Sequence, residues 1–307
     1  MLFCFTLPKV QKMLSAIKLF TPQNWIDYEL IDCGNLEKLE RFNQIIIRRP
    51  EPQALWDKRL SEHEWKKNTD VIFIQKGSHS GEWKKQNPIN DHWLLKYKTD
   101  DLNLSFNLSL TAFKHIGIFP EQAVNWEYIY RKIKLMKTDQ PKVLNLFAYT
   151  GGASLAAKAA GADITHVDSV KQVISWSREN MESSGLKDIR WVVEDAVKFV
   201  KREVKRGKKY NGIILDPPSY GIGASGERWK LEDCINEMIK DLSLILDEEE
   251  NFFILNMYSM GLSSLITENL IKCNFKNPQQ FETGEIFLNA KSGIKLPLGI
   301  LSRFSNI

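Results

Sequence analysis

The chain has 307 residues, 43% of them hydrophobic, with 42 Lys and Arg against 38 Asp and Glu, a formal net charge of +4. That length and apolar content suit one large or two modest cored domains; no tract is of low complexity and no apolar run is long enough to span a bilayer. Cys4, Cys33, Cys234 and Cys273 stand far apart without a CxxC pair, which argues against a disulfide framework and a zinc site and suits a reducing cytoplasm.

Met1 to Val10 is apolar but lacks a charged leader and a small-residue cleavage site, so a secretory signal is disfavoured. The first acid is Asp27, after Lys9, Lys12 and Lys18. An organellar presequence is weakened by the missing Arg and the scarcity of Ser. The plainer reading takes residues 1–12 as a non-native or unstructured extension, with translation starting at Met13.

Residues 13–115 are expected to form a β-rich, substrate-side domain. Gln44–Pro50, Val71–Ile74, Trp93–Tyr97 and Leu102–Leu108 read as strands; the last alternates strictly, as a half-buried strand should. Up to Lys142 there are 22 Lys and Arg against 17 Asp and Glu, together with six of the nine Trp. Positive charge mixed with aromatics serves phosphates and exposed bases. Equally, the Trp can be core and the Lys solvated.

Residues 116–307 are expected to be a doubly wound, mostly parallel, seven-stranded α/β sheet. Pro120–Glu121 opens a helix running to Lys137, with proline in the first turn and an acid at the dipole's positive end. Strands at 143–147, 164–168, 189–193, 212–215 and 251–256 then alternate with helices near 152–160, 171–184, 196–205, 231–246 and 262–272. Segments 285–288 and 298–302 finish the sheet. Such repeats imply parallel strands with right-handed crossovers, and ligands in such sheets sit beyond the carboxyl ends of the strands.

Chemistry gathers at those ends. Gly151-Gly152 lets backbone approach a ligand before a helix rich in Ala; without a GxGxxG pattern a pyrophosphate clamp is disfavoured. Asp168 ends the second strand, about 20 residues on, where an acid takes a ribose hydroxyl pair; alone it could cap the next helix. Asp195 could accept from an adenine amino group or cap its own helix. Jointly they favour an adenosine ligand without a diphosphate. Asp216-Pro217-Pro218-Ser219-Tyr220 ends the fourth strand. Its prolines remove two donors and hold the chain extended, leaving acceptors facing the pocket and Tyr220 as a stacking ring. That arrangement orients a planar amine. The basic run 201–209 precedes the strand ending at Asp216, so it belongs at the opposite end of the sheet and reads as a solvated helix terminus; Arg48, Arg49, Lys114 and Lys295 are expected nearer the mouth.

Asn145-Leu146-Phe147-Ala148-Tyr149-Thr150-Gly151-Gly152, Asp168, Asp195 and Asp216-Pro217-Pro218-Ser219-Tyr220 resemble the motifs of class I S-adenosylmethionine-dependent methyltransferases. More narrowly, their order is similar to the bacterial group containing the 23S rRNA cytosine-C5 and guanine-N7 methyltransferases. The resemblance begins upstream with Arg48–Ala54 and His115–Gln122 and continues to Leu296–Gly299. It implies S-adenosylmethionine as cofactor, with Phe119 and Gln122 closing over it. The cofactor set is then Phe119, Gln122, Asn145, Phe147, Tyr149, Thr150, Gly151, Asp168, Ser169, Asp195, Ala196 and Asp216; the catalytic set is Asp216, Pro217, Pro218, Ser219 and Tyr220. No metal or membrane is expected, and the implied substrate is RNA, as rRNA or a ribosomal particle.

Two departures bear on the acceptor. No copy of the RNA-binding PUA module of the cytosine-C5 enzymes is visible. Where their Ser-Cys-Ser type motif would stand, this chain reads Asn256-Met257-Tyr258-Ser259-Met260, without the thiol that C5 chemistry generally needs. A nitrogen acceptor fits Asp-Pro-Pro better. Alternatives are a protein or small-molecule methyltransferase, a nicotinamide-dependent oxidoreductase on the same sheet, and a non-catalytic RNA-binding relic.

Overall fold

The structure, a computed structural model, describes residues 16–77, 80–223, 226–258 and 261–307. The extension 1–12 and Ser259-Met260 therefore lie outside the described residues. In chain order the elements are β1 (Lys18–Phe20), β2 (Tyr28–Gly34), β3 (Glu37–Phe42), β4 (Ile45–Pro50), α1 (Glu62–Asn68), β5 (Val71–Gln75), β6 (Gly81–Lys85), β7 (His92–Lys98), β8 (Asn103–Ser109), α2 (Ala123–Leu135) and β9 (Lys142–Leu146). They continue with α3 (Gly152–Ala159), β10 (Asp163–Asp168), α4 (Lys171–Ser183), β11 (Arg190–Val193), α5 (Ala196–Lys205), β12 (Gly212–Leu215), β13 (Tyr220–Ile222), β14 (Arg228–Lys230), α6 (Leu231–Ile245), β15 (Phe252–Met257), α7 (Ser264–Asn274), β16 (Glu282–Asn289) and β17 (Lys295–Ser305).

The large sheet is ordered β1-β16-β17-β15-β12-β9-β10-β11, parallel except where β17 pairs antiparallel with β15 and β16. It has eight strands where seven were expected. Residues 18–20, assigned above to the β-rich part, instead pair in parallel with β16, and Lys18 meets Glu282 at 2.7 Å. Three residues carry too little pattern to be read as a strand.

Period-two alternation explains the layering. In β12 and β15, Ile214, Phe252 and Ile254 enter one core, while Ile213, Leu215, Phe253 and Leu255 enter the other. The first core takes α2 and α3, and also Trp25, Tyr28, Phe42, Tyr97 and Phe106 from the β-rich part. The second takes α5, α6 and α7. Trp126 on α2 stacks on Phe106 at 5.0 Å and meets Tyr97 edge-on at 5.3 Å. Helix α4 is tied to β8 by Asn180 Oδ1, which accepts from Asn107 N at 2.8 Å, and by Trp176 Nε1, which donates to Asn107 O at 2.5 Å.

The β-rich part holds a five-stranded sheet, ordered β2-β3-β4-β5-β6, and the β7–β8 pair. Its Trp residues decide the open question about charge and aromatics. Trp25 and Trp65 are buried, and the indoles of Trp25, Trp56, Trp65 and Trp83 each donate to an internal acceptor. They are core, not a stacking surface. Helix α1 went unread, although Ser61 and Glu64 form its capping box. The helix expected from Glu121 opens as a 3-10 turn, Pro120–Gln122, and α2 stops where the Glu250 carboxylate takes the backbone N–H groups of Lys137 and Thr138.

Candidate active site

The loop after β9 is the first wall. Phe147 and Tyr149 adopt left-handed φ of +54° and +49°, and Gly151 follows at +93°. Non-glycine residues pay for that region, and such strain persists only where surroundings over-determine it. Here Tyr149 N donates to Asp168 Oδ2 at 3.0 Å, and Tyr149 O accepts from Ser177 Oγ at 2.7 Å. Thr150 Oγ1 donates to Gly117 O at 2.7 Å, and Thr150 O accepts from Asn180 Nδ2 at 2.9 Å. Gly151 is glycine for its φ. Gly152 is glycine because a Cβ there would meet the Trp126 ring at 2.6 Å. The second glycine thus serves packing, not ligand approach as expected.

Beneath the loop lies a buried polar chain. Asn145 Nδ2 donates to Ser154 Oγ at 2.9 Å, and Ser154 Oγ lies 3.0 Å from His166 Nδ1. Burial pushes the His166 imidazole down to about 3, so it is neutral. Asn145, assigned above to the cofactor, is itself buried and supports the turn from below.

At the end of β10, both Asp168 carboxylate oxygens accept backbone N–H groups: Oδ2 from Tyr149 and Oδ1 from Val170 at 2.9 Å. Burial nevertheless raises its carboxyl above the usual range. Ser169 beside it is half-buried. Asp195, after β11, caps α5 by accepting from Lys198 N at 2.9 Å, and Ala196 is buried. Between these acids Val170 and Val193 remain 44% and 50% exposed. Neither was singled out in the sequence; apolar side chains left bare at two adjacent strand ends would suit a planar ring.

At the end of β12, Asp216 Oδ1 accepts from Asn256 Nδ2, 2.7 Å away at the end of β15. Burial raises the Asp216 carboxyl to about 6. Asn256 is buried and its Oδ1 has no partner; only the pairing of β12 with β15 identifies it as the neighbour of Asp216. The turn corrects one expectation. Pro218 O accepts from Trp229 Nε1 at 2.6 Å and Ser219 O from Leu231 N at 3.0 Å, so those carbonyls hold the chain and do not face a ligand. Pro217 is buried, whereas Pro218, Ser219 and Tyr220 are exposed. Trp229 also packs on Phe147 at 5.0 Å, joining the two walls.

The roof comes from the segment before α2. Phe119 lies between His115 at 5.2 Å and Tyr149 at 5.1 Å; Gln122 Oε1 accepts from Asn125 Nδ2 at 2.8 Å. A narrow cleft runs from Phe119 and Glu121 to Tyr258, floored by Lys38, Arg49, Glu51 and Lys114. Arg49 is buried against Glu40 at 2.7 Å, and Lys38 reaches Glu51 at 3.1 Å. Arg48, expected near the mouth, points away: it pairs with Glu37 and Glu62 over Trp65, because neighbours on a strand face opposite ways. Lys295 is exposed beside Phe287. Burial pushes Glu121 up to about 7 and His115 down to about 3. The Tyr258 phenol stands 3.4 Å from Glu51 and is held well above its usual range by burial and that charge.

The Gly151 loop, Asp168, Asp195 and Asp216 thus lie at the carboxyl ends of four adjacent strands, β9 to β12. Together with the bare Val170 and Val193, they fit an adenosine ligand whose other end passes under Phe119. Among the described residues, no group of three or more His, Cys, Asp or Glu could hold a metal ion, and no helix is long and apolar enough to cross a membrane.

A family profile described as conserved hypothetical protein 95 matches residues 123–251. Ribosomal RNA large subunit methyltransferase K/L of Shewanella frigidimarina is 31% identical over 152 residues, 48% of this chain and 20% of that protein. The chain thus spans about a fifth of the length of the curated relatives it matches. A Streptococcus mutans structure described as a SAM-dependent methyltransferase superposes with a TM-score of 0.70 at 17% identity, covering 91% of this chain and 75% of the other; at that identity the likeness is one of fold. The crystal structure of the SAM-dependent methyltransferase from Agrobacterium tumefaciens is 35% identical, covers 94% of both chains and superposes with a TM-score of 0.87. End-to-end similarity at that level, on strand ends shaped for adenosine, makes the chain a member of the class I S-adenosylmethionine-dependent methyltransferases.

Proposed function

We propose that the chain methylates a base nitrogen in RNA, with ribosomal RNA as the substrate. The observation that carries the nitrogen is the buried Asp216 carboxylate, held by Asn256 and raised to about 6. It is an acceptor for an amine or ring N–H, ionised at neutral pH and basic enough to take the proton that the methylated nitrogen sheds. S-adenosylmethionine supplies an electrophilic methyl on a sulfonium. The residues align and dry the reaction: Asp168 takes the ribose hydroxyls, Asp195 the adenine amino group, Phe119 and Gln122 cover the cofactor, and the β-rich part presents the substrate. Ser169, Ala196 and the Phe147–Gly151 loop line the cofactor's path.

Cytosine C5 is the weaker target. The phenol of Tyr258, held protonated, is a poor substitute for a thiolate, and the Cys234 side chain packs against the core under α6. Support for RNA comes from the charge excess of the first 142 residues and from the name of the Shewanella relative. Mass spectrometry of rRNA from a deletion strain should reveal one missing N-methyl group, restored by the wild-type gene and not by Asp216→Ala. Methylation of lysate protein, with ribosomal subunits left untouched, would overturn the RNA reading. Trapping of the enzyme on 5-fluorocytidine-substituted RNA, lost in Cys234→Ala, would restore cytosine C5.

A further inference from the structure

The short β13–β14 hairpin follows the Asp-Pro-Pro turn and has no part in the chemistry above. Its register pairs Tyr220 with Lys230, Gly221 with Trp229 and Ile222 with Arg228. Directly opposed residues share a face, and alternate residues lie on opposite faces. Trp229 therefore points inward, 5% exposed, where it packs on Phe147 and bonds Pro218 O. Tyr220, Ile222, Arg228 and Lys230 form the outer face.

That face is unusual for a hairpin rim. Tyr220 is 56% and Ile222 64% exposed, and Arg228 and Lys230 stand exposed directly across from them. Lys230 makes only a long, exposed 3.5 Å contact with Asp233. Arg228 makes no ion pair among the described residues. A merely solvated hairpin would gain nothing from turning its Tyr and Ile outward. The ribbon is held firmly at its base: Leu231 N donates to Ser219 O, and Ser219 Oγ donates to Tyr258 O at 3.3 Å. Tyr220 also follows Asp216 by only four residues. Whatever places one unit against Asp216 must pass its neighbour over this face.

We infer that the outer face of the β13–β14 ribbon, made of Tyr220, Ile222, Arg228 and Lys230, binds the single-stranded RNA flanking the target nucleotide. A flanking base lies on Tyr220 and Ile222, and two successive phosphates meet Lys230 and Arg228. This rests on the RNA reading above. Charge complementarity selects the occupant: two cations beside an aromatic and an aliphatic platform are the elements of sequence-tolerant single-strand binding. Residues two apart on a strand are spaced by about 7 Å, of the order of one nucleotide step.

The test measures binding of a short, fluorescently labelled, mixed-sequence single-stranded RNA to the full chain with S-adenosylhomocysteine present, over a range of salt. Three variants are compared with wild type: Ile222→Ser, the pair Arg228→Ser with Lys230→Ser, and a charge-matched control, Lys201→Ser with Lys208→Ser, on the basic run at the far end of the sheet. Ile222→Ser should weaken RNA binding roughly tenfold. The ribbon pair should lower the slope of log affinity against log salt by about 1.4, from two lost phosphate contacts at about 0.7 each. The control should change neither. All variants should keep the wild-type melting temperature and affinity for S-adenosylhomocysteine. A ribbon pair with the wild-type slope, or a control that loses as much, overturns the inference while leaving RNA as the substrate. A wild-type enzyme that neither binds nor methylates RNA removes the reading and the ribbon together. A ribbon variant that changes the oligomeric state instead would assign the face to a second copy of the chain.

Discussion

Asp168 and Asp216 end neighbouring segments of the same sheet edge, yet their surroundings give them different work. Asp168 already accepts two backbone N–H groups, so it holds the strained loop as well as offering lone pairs to a ribose. Losing a hydrogen bond to a charged group costs roughly 1.5–3 kcal/mol. Asp168→Ala should therefore weaken cofactor binding about tenfold to a hundredfold by calorimetry, in a protein that still folds. Asp216 has one partner, Asn256, and its carboxyl sits near 6, above its ordinary 3.8. An acceptor must be ionised, so turnover should fall as pH drops through about 6. Stability should move the other way. A raised carboxyl favours the folded state where it is protonated, so its contribution is full below about 4 and is lost as pH rises through about 6. Asp216→Asn should melt above wild type at pH 8 and match it near pH 4; an equal gap at both would deny the burial.

The elements show how few contacts join the two catalytic walls. Trp229 is the junction, through its ring on Phe147 and its N–H on Pro218 O. Trp229→Ala should cost about 3–5 kcal/mol, as for large core aromatics, and should reduce cofactor affinity and turnover together because both loops lose their brace. Trp229→Phe restores the ring without the N–H; it should recover most of the melting temperature and less of the turnover. Full recovery of both would mean that the indole bond is dispensable. The hairpin carrying Trp229 was not legible in the sequence, since strands of three residues give no period to detect. Helix α5, by contrast, was bounded correctly from Asp195 and its apolar stripe, because cap and amphipathicity agree locally.

Across the whole molecule the β-rich part and the sheet share one core. Trp25, Tyr97 and Phe106 surround Trp126 on α2, and residues 18–20 complete the sheet edge. A fragment starting at residue 116 would expose that aromatic cluster and the edge of β16. It should aggregate or melt well below the full chain, as a hydrophobic patch and an unpaired edge both demand. A soluble fragment of wild-type stability would show the boundary to be a true domain seam. The buried charges of the cleft belong to this scale too. Glu40 is the counter-ion of Arg49 and also accepts from Tyr28, so Glu40→Gln leaves a buried guanidinium poorly paired. A loss of about 3–5 kcal/mol, read from denaturant midpoints, is expected.

The alternating α/β pattern, the ligand edge and the four strand-end motifs were all readable from residue order, because each is a local signal: an apolar run, then a turn or an acid. The Asp195 cap was readable for the same reason. Tertiary structure alone decided what those residues touch. Gly152 is set by Trp126, Asn145 by Ser154, and Asp216 by Asn256, 40 residues away. The Trp residues and Arg48 were drawn inward by packing and by ion pairs with residues from other strands and a helix. Such contacts are set by how elements stack in space, and a linear pattern carries the face of each element but not its neighbour.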